Sequence, residues 1–168
     1  MKALRHAVDR LLGTAICLLM AVMVINVLWQ VFSRFILRQP SSYTEELARY
    51  MMIWVGLLGS AYAVGKKSHL ALDLVTARLE GARKRLSEII VHSAVLLFAL
   101  AVLVGGGGRL VWIQLSLGQQ SAALQVKLGF VYLAVPLAGV FIVFYSALAL
   151  ADALRGEAVA AEHSSGLN

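Results

Sequence analysis

The chain has 168 residues, of which 60% are hydrophobic and only 14% are charged. A soluble domain typically has about 45–50% apolar and about 25% charged residues, so this composition excludes an ordinary soluble domain and indicates an integral membrane protein. The formal net charge of +6 does not indicate nucleic-acid binding, because the basic residues cluster at the ends of apolar runs, where charges set membrane topology.

Four apolar runs are each long enough to cross a bilayer, whose hydrocarbon core of about 30 Å requires about 20 helical residues. They predict an all-α integral membrane protein with a single membrane domain, residues 1–168, and transmembrane helices over about residues 11–33, 43–65, 86–108 and 126–150. Between the second and third spans, residues 70–80 carry polar and apolar side chains on separate helical faces. This pattern predicts an amphipathic helix that lies in the membrane interface.

Two polar residues of the first span, Asn26 and Gln30, lie four positions apart and therefore on one helical face. Polar side chains inside membrane helices commonly hydrogen-bond to a neighbouring helix, and they also mark ligand sites. The sequence favours an interhelical hydrogen bond and leaves a ligand contact open.

The second span has a defined start and stop. Ser42 and Glu45 have the spacing of a capping box, in which the two side chains satisfy N–H groups at the helix start. Glu45 also precedes Arg49 by four residues, the favourable orientation for a helical ion pair. Gly65 predicts a left-handed helix stop, and Lys66 follows where a cation suits a helix C-terminus.

The same span carries small residues at helical spacing: Gly56, Gly59, Ser60 and Ala63. Small side chains let two helices approach closely in lipid, where packing and polar contacts replace the hydrophobic driving force. This face therefore predicts contact with another helix.

The third and fourth spans each contain a feature that disturbs a regular helix. The third ends in four glycines, residues 105–108, which predict a kinked or locally unwound end or a very tight helix contact. The fourth contains Pro136, which removes one backbone hydrogen bond and predicts a kink.

Topology follows from the distribution of lysine and arginine. With four spans, the two ends of the chain and the connection after the second span lie on the same side of the membrane. Together they carry 10 basic residues: three at the N-terminus, six in the connection and one at the C-terminus. The opposite side carries five: Arg34, Arg38, Arg49, Arg109 and Lys127. The positive-inside rule therefore predicts that both termini are cytoplasmic.

The sequence contains no recognisable transport or catalytic chemistry. No Asp, Glu, Lys or Arg lies in the middle of a predicted span, although such residues mark proton and ion pathways. His92 is the one histidine within a predicted span, so paired haem ligands on facing helices are missing. The sequence therefore predicts no enzyme, no cofactor and no metal site, and it disfavours a free-standing small transporter.

Charged residues lie instead at the two ends of the second span: Glu45, Glu46, Arg49, His69 and Asp73. Two interpretations remain open for them. They are solvated membrane anchors, or they set the register with a partner, since ion pairs at the edge of lipid are less screened than in water.

The second span also carries a family resemblance. The string E-E-L-A-R-Y at residues 45–50, Trp54, Gly59, A-Y-A at residues 61–63 and S-H-L-A-L-D-L at residues 68–74 resemble the small membrane (Q) subunit of tripartite ATP-independent periplasmic (TRAP) transporters. The candidate structural and partner-interface residues are Glu45, Glu46, Arg49, Trp54, Gly56, Gly59, Ser60, Tyr62, Ala63, His69 and Asp73.

The resemblance implies a scaffold subunit in the bacterial inner membrane. Its partners would be the large membrane subunit, a periplasmic substrate-binding protein and membrane lipids, with no nucleic acid. It implies Na⁺-coupled uptake of an organic acid of the C4-dicarboxylate or sialic acid class. The alternative is the membrane anchor of a respiratory electron-transfer complex, which the histidine count argues against.

Overall fold

The computed structural model describes residues 2–38, 41–66 and 82–155. Its helices are α1 (Lys2–Phe35), α2 (Ser42–Gly65), α3 (Ala82–Phe98), a π-helix (Ala99–Gly106), α4 (Gly107–Ser116), α5 (Leu128–Tyr132) and α6 (Ala134–Arg155). Four continuous helical stretches are long and apolar enough to cross a membrane: Leu4–Phe35, Ser42–Gly65, Arg85–Ser116 and Leu128–Leu154. The all-helical, four-span prediction is confirmed. The predicted interfacial helix over residues 70–80 lies outside the described residues.

The helices α2 and α6 form the centre of the bundle. Helix α1 packs against α2, α2 packs against α6, and α6 packs against α3 and the π-helix. One buried cluster joins Ala61, Ala99, Ala138 and Ile142, and a second joins Leu12, Leu58 and Tyr145. Each cluster contains a residue of α2, Ala61 in the first and Leu58 in the second, so changes in α2 affect both clusters.

The third span does not end at its glycines. The backbone forms a π-helix over Ala99–Gly106, which is wound less tightly than an α-helix, and then continues as α4 to Ser116. A Cβ atom built on Gly107 would lie 2.8 Å from the Val135 side chain and 3.1 Å from Pro136. The glycine run thus combines a local irregularity with the expected tight helix contact, and the longer helix places Arg109 inside the third span.

The fourth span is interrupted near its proline. Helix α5 ends at Tyr132 and α6 begins at Ala134. Pro136 has no N–H to donate to the carbonyl four residues earlier, which belongs to Tyr132. The predicted irregularity thus lies one turn before the proline, where that backbone bond is missing.

The ends of α2 differ from the sequence prediction. Ser41, not Ser42, is the N-cap and makes no side-chain capping bond, while the Thr44 hydroxyl donates to the Ser41 carbonyl (2.9 Å). The capping-box prediction is therefore wrong. Gly65 is also not left-handed: among the described residues only Arg38, Gly118 and Gln125 have positive φ.

Candidate functional site

A polar cluster at the C-terminal end of α2 joins three helices. The Asp9 carboxylate of α1 accepts a hydrogen bond from the Tyr145 hydroxyl of α6 (2.6 Å). It also forms an ion pair with Lys66 (3.2 Å). The Arg5 guanidinium donates to the Gly65 carbonyl (2.5 Å). The hydrogen bond to Asp9 raises the pKa of Lys66 above its ordinary value. These contacts hold α1, α2 and α6 in register at one end of the bundle.

Gly65 is required by this cluster because it lies against the Tyr145 ring. A Cβ atom at Gly65 would approach the ring carbons to 2.6–2.8 Å, closer than real Cβ contacts. Tyr145 is only 3% exposed and its hydroxyl is held by Asp9, so the ring has little room to yield. This contact, not a left-handed backbone, explains the glycine.

We expect Gly65→Ala to lower the free energy of unfolding by about 1–3 kcal/mol, the usual cost of overpacking. Gly56→Ala is the matched control in the same helix, because nothing lies within 4 Å of a Cβ atom there and alanine is the better helix former. The measurement is the unfolding midpoint of the purified chain in mild detergent. Equal midpoints for the two variants would contradict the proposed role of the Tyr145 contact.

A second polar cluster lies at the N-terminal end of α2, around Glu46. One carboxylate oxygen of Glu46 accepts from the Tyr50 hydroxyl (2.6 Å), and the other accepts from the backbone N–H groups of Ala123 and Leu124 (2.8 Å each). Glu46 therefore fixes the connection between α4 and α5 to the start of α2. Sequence reasoning missed this role because the partners are backbone groups 77 and 78 residues away.

The neighbouring Glu45 has a different environment. Its carboxylate forms the predicted ion pair with Arg49 (2.5 Å), and both side chains are exposed, 59% for Glu45 and 71% for Arg49. An exposed i,i+4 pair contributes about 0.3–0.5 kcal/mol. The ion-pair prediction is confirmed. The two adjacent acids have different roles: Glu45 is a surface residue, and Glu46 binds backbone N–H groups.

Asn26 supplies a further contact at this end. Its side-chain N–H donates to the Thr44 carbonyl (2.8 Å), and the residue is 9% exposed. The prediction of an interhelical hydrogen bond is confirmed for Asn26. The bond fixes α1 to the first turn of α2, beside the Glu46 cluster.

The small-residue face of α2, defined here as Gly56, Gly59, Ser60 and Ala63, points away from the other described helices. A Cβ atom at Gly56 or Gly59 would meet nothing within 4 Å. Ser60 and Ala63 are exposed, and the Ser60 hydroxyl donates to the Leu57 carbonyl of its own helix (2.8 Å). Within the described residues this face is not used for internal packing.

Two other candidate residues of α2 point inward. Trp54 and Tyr62 pack against the buried cluster of Leu12, Leu58 and Tyr145, which joins α1 to α2 and α6. His69 and Asp73 lie outside the described residues. The structure thus groups the candidates of α2 into end contacts, an inward aromatic pair and an outward small-residue face.

A four-span helical membrane protein with polar contacts at both ends of a central helix and a bare small-residue face has the architecture of a membrane subunit. Comparison with known families makes this specific. Residues 23–156 match the family of tripartite ATP-independent periplasmic transporters, DctQ component. The chain belongs to this family, which confirms the resemblance seen in the second span, and it is a small permease subunit of a TRAP transporter.

Similar proteins carry corresponding names. The sialic acid TRAP transporter small permease protein SiaQ of Vibrio cholerae is 30% identical over 154 residues, which cover 86% of this chain and 82% of that protein. A putative TRAP transporter small permease protein of Haemophilus influenzae is 26% identical over 144 residues, or 84% and 86% of the two chains. The isethionate TRAP transporter permease protein DctMQ of Oleidesulfovibrio alaskensis is 34% identical over 94 residues, which cover 56% of this chain and 15% of that much longer protein.

Proposed function

We propose that this chain is a scaffold subunit that supports the large membrane subunit of its transporter during Na⁺-coupled uptake of an organic acid. The acid would belong to the sialic acid or C4-dicarboxylate class and would be delivered by a periplasmic binding protein. Support for the sialic acid class comes from the name of the Vibrio cholerae relative, while isethionate, a sulfonate, supports only the broader class of organic acids. A respiratory membrane anchor no longer needs to be considered, because the family match selects a transporter subunit.

The observation that carries the scaffold role is the bare small-residue face of α2. Glycine in a helix interior costs about 0.5–1 kcal/mol relative to alanine, so two glycines on one face, each with open space at its Cβ position, are unfavourable for the isolated chain. A partner helix that packs closely against Gly56 and Gly59 offsets this cost. The long DctMQ relative, whose name combines two permease components, supports the large subunit as that partner.

The polar clusters at the two ends of α2 support a rigid role. They bind α1 and the connection before α5 to α2, and they join α6 to α1, so the outward face of α2 keeps one orientation. The centres of the spans carry no charged residue with which to move an ion, and Arg109 lies two turns before the end of the third span.

The assembly claim is tested by co-expression of the affinity-tagged chain with the large subunit of its transporter. We expect the large subunit to co-elute from mild detergent in a fixed ratio. A tagged chain that is inserted in the membrane but elutes without the large subunit would contradict the scaffold role.

The basic-residue asymmetry predicts cytoplasmic termini, with the connection before α5 on the periplasmic side. In a Cys17→Ser background, we expect a cysteine placed at Gln119, which is exposed, to react with a membrane-impermeant maleimide added outside. A fluorescent reporter fused after Asn168 should be active in the cytoplasm. A reporter at Asn168 that works only in the periplasm would invert the topology.

A further inference from the structure

An apolar groove runs between α1 and α6, with α2 as its floor. Its volume is about 510 Å³, within the range of about 300–1,000 Å³ that is typical of ligand pockets. All of its lining side chains are apolar, and they include Leu11, Ala15, Val22, Trp54, Leu58 and Phe141. Such a lining offers no hydrogen bond, so the groove suits a hydrocarbon ligand.

The groove lies at the depth of the hydrocarbon core and has one closed end. Its lining on α1 extends over residues 11–22, from the N-terminal third of the first span, Leu4–Phe35, to just past its middle. At one end, the hydrogen bond between Asp9 and Tyr145 joins α1 to α6. Beyond this bond each of the two helices packs against α2, and the space between them stays open.

The groove is too narrow to take in a whole helix. Residues 11–22 of α1 cover eleven helical rises, about 16 Å. Dividing the 510 Å³ by this length gives a mean cross-section of about 30 Å². An α-helix about 10–12 Å across has a cross-section of about 80 Å² or more, so only side chains of a helix could enter the groove, whereas a single acyl chain fits along its length.

The residue types in the lining also favour an acyl chain over a helix. Close helix packing in membranes uses small residues, and α2 presents these on its other side, at Gly56 and Gly59. The groove is built mainly from large side chains such as Leu58 and Phe141. The two faces of α2 are therefore suited to different occupants.

The closed end of the groove carries an excess of positive charge. Arg5 and Lys66 lie there with Asp9 as their one neighbouring acid among the contacts in the described residues. The Lys66 side chain is 45% exposed, and its partner Asp9 precedes Leu11, a residue of the groove lining, by two positions in α1. Basic side chains at a membrane surface attract anionic lipid headgroups.

We propose that this groove binds one acyl chain of an anionic phospholipid, whose phosphate lies at Arg5 and Lys66. The bound chain fills the space between α1 and α6 and stabilises their separation. The inference depends on the chain spanning a membrane, and it does not depend on the scaffold role proposed above.

The test uses the full chain reconstituted in vesicles of phosphatidylethanolamine and phosphatidylglycerol, with a trace of phosphatidylglycerol that carries a diazirine in one acyl chain. Light-induced labelling is assigned to residues by mass spectrometry. We expect labelling of Leu58, which is only 4% exposed but lines the groove. Ala15→Phe should reduce this labelling at least about fivefold by filling the groove.

Ala21→Phe is the matched control, because Ala21 is an exposed residue of α1 outside the groove. It should leave the labelling of Leu58 unchanged. No label at Leu58 in the unsubstituted chain, or equal label in both variants, would overturn the proposal. Equal labelling by a phosphatidylcholine probe would overturn the headgroup assignment. Loss of label when the large subunit is co-expressed would overturn the acyl chain as the occupant, because the partner would then fill the groove.

Discussion

Gly59→Leu is expected to weaken association with the large subunit by about five- to 150-fold while the chain remains folded in the membrane. Leucine would fill the space in which the partner backbone is proposed to lie, and overpacking of this kind costs about 1–3 kcal/mol. Among the described residues the substitution has no close neighbour to disturb, because a Cβ atom at Gly59 meets nothing within 4 Å. The measurement is the amount of large subunit that co-elutes with the tagged variant.

Gly108→Leu is the control for this experiment. It is the same substitution at a glycine of α4 that also has open space around its Cβ position, away from the small-residue face of α2. Normal co-elution is expected for this variant. If both variants co-elute normally, the contact lies on another face, and if both lose the partner, the effect belongs to leucine in a membrane helix and not to the face.

Glu46→Ala is expected to lower the unfolding midpoint of the purified chain clearly more than Glu45→Ala does. The carboxylate accepts three hydrogen bonds, and its removal leaves the N–H groups of Ala123 and Leu124 without their acceptor. The connection before α5 should then detach from α2. Faster maleimide reaction of a cysteine at Gln119 reports this detachment directly.

Glu45→Ala is the matched control one residue away. Its carboxylate is 59% exposed and contacts only Arg49 among the interactions seen in the described residues. A change of about 0.5 kcal/mol or less is expected for an exposed ion pair. Equal destabilisation by the two substitutions would contradict the distinct roles assigned to the two acids.

Features that depend on local spacing could be predicted from the sequence. The four spans follow from apolar length, and the Glu45–Arg49 pair follows from the four-residue spacing. The interhelical role of Asn26 follows from the rarity of polar groups in membrane helices, although its acceptor in Thr44 could not be named.

Features that depend on three-dimensional packing could not be predicted. Asp9 and Tyr145 are 136 residues apart, and nothing local pairs them. In the sequence Gly65 resembles a left-handed helix stop, because glycine adopts left-handed backbone readily. In the structure the glycine is needed instead to make room for the Tyr145 ring. Glu46 looks like its neighbour Glu45 in sequence, and only the fold brings backbone N–H groups to one of them.

The most direct test of the scaffold function is uptake by proteoliposomes that lack one component at a time. The complete set contains this chain, the large subunit, the binding protein and an inward Na⁺ gradient, and a panel of labelled carboxylates that includes sialic acid and succinate identifies the substrate. We predict uptake with the complete set and none with this chain alone, at any Na⁺ gradient. Uptake of any carboxylate by vesicles that contain only this chain would contradict the scaffold function.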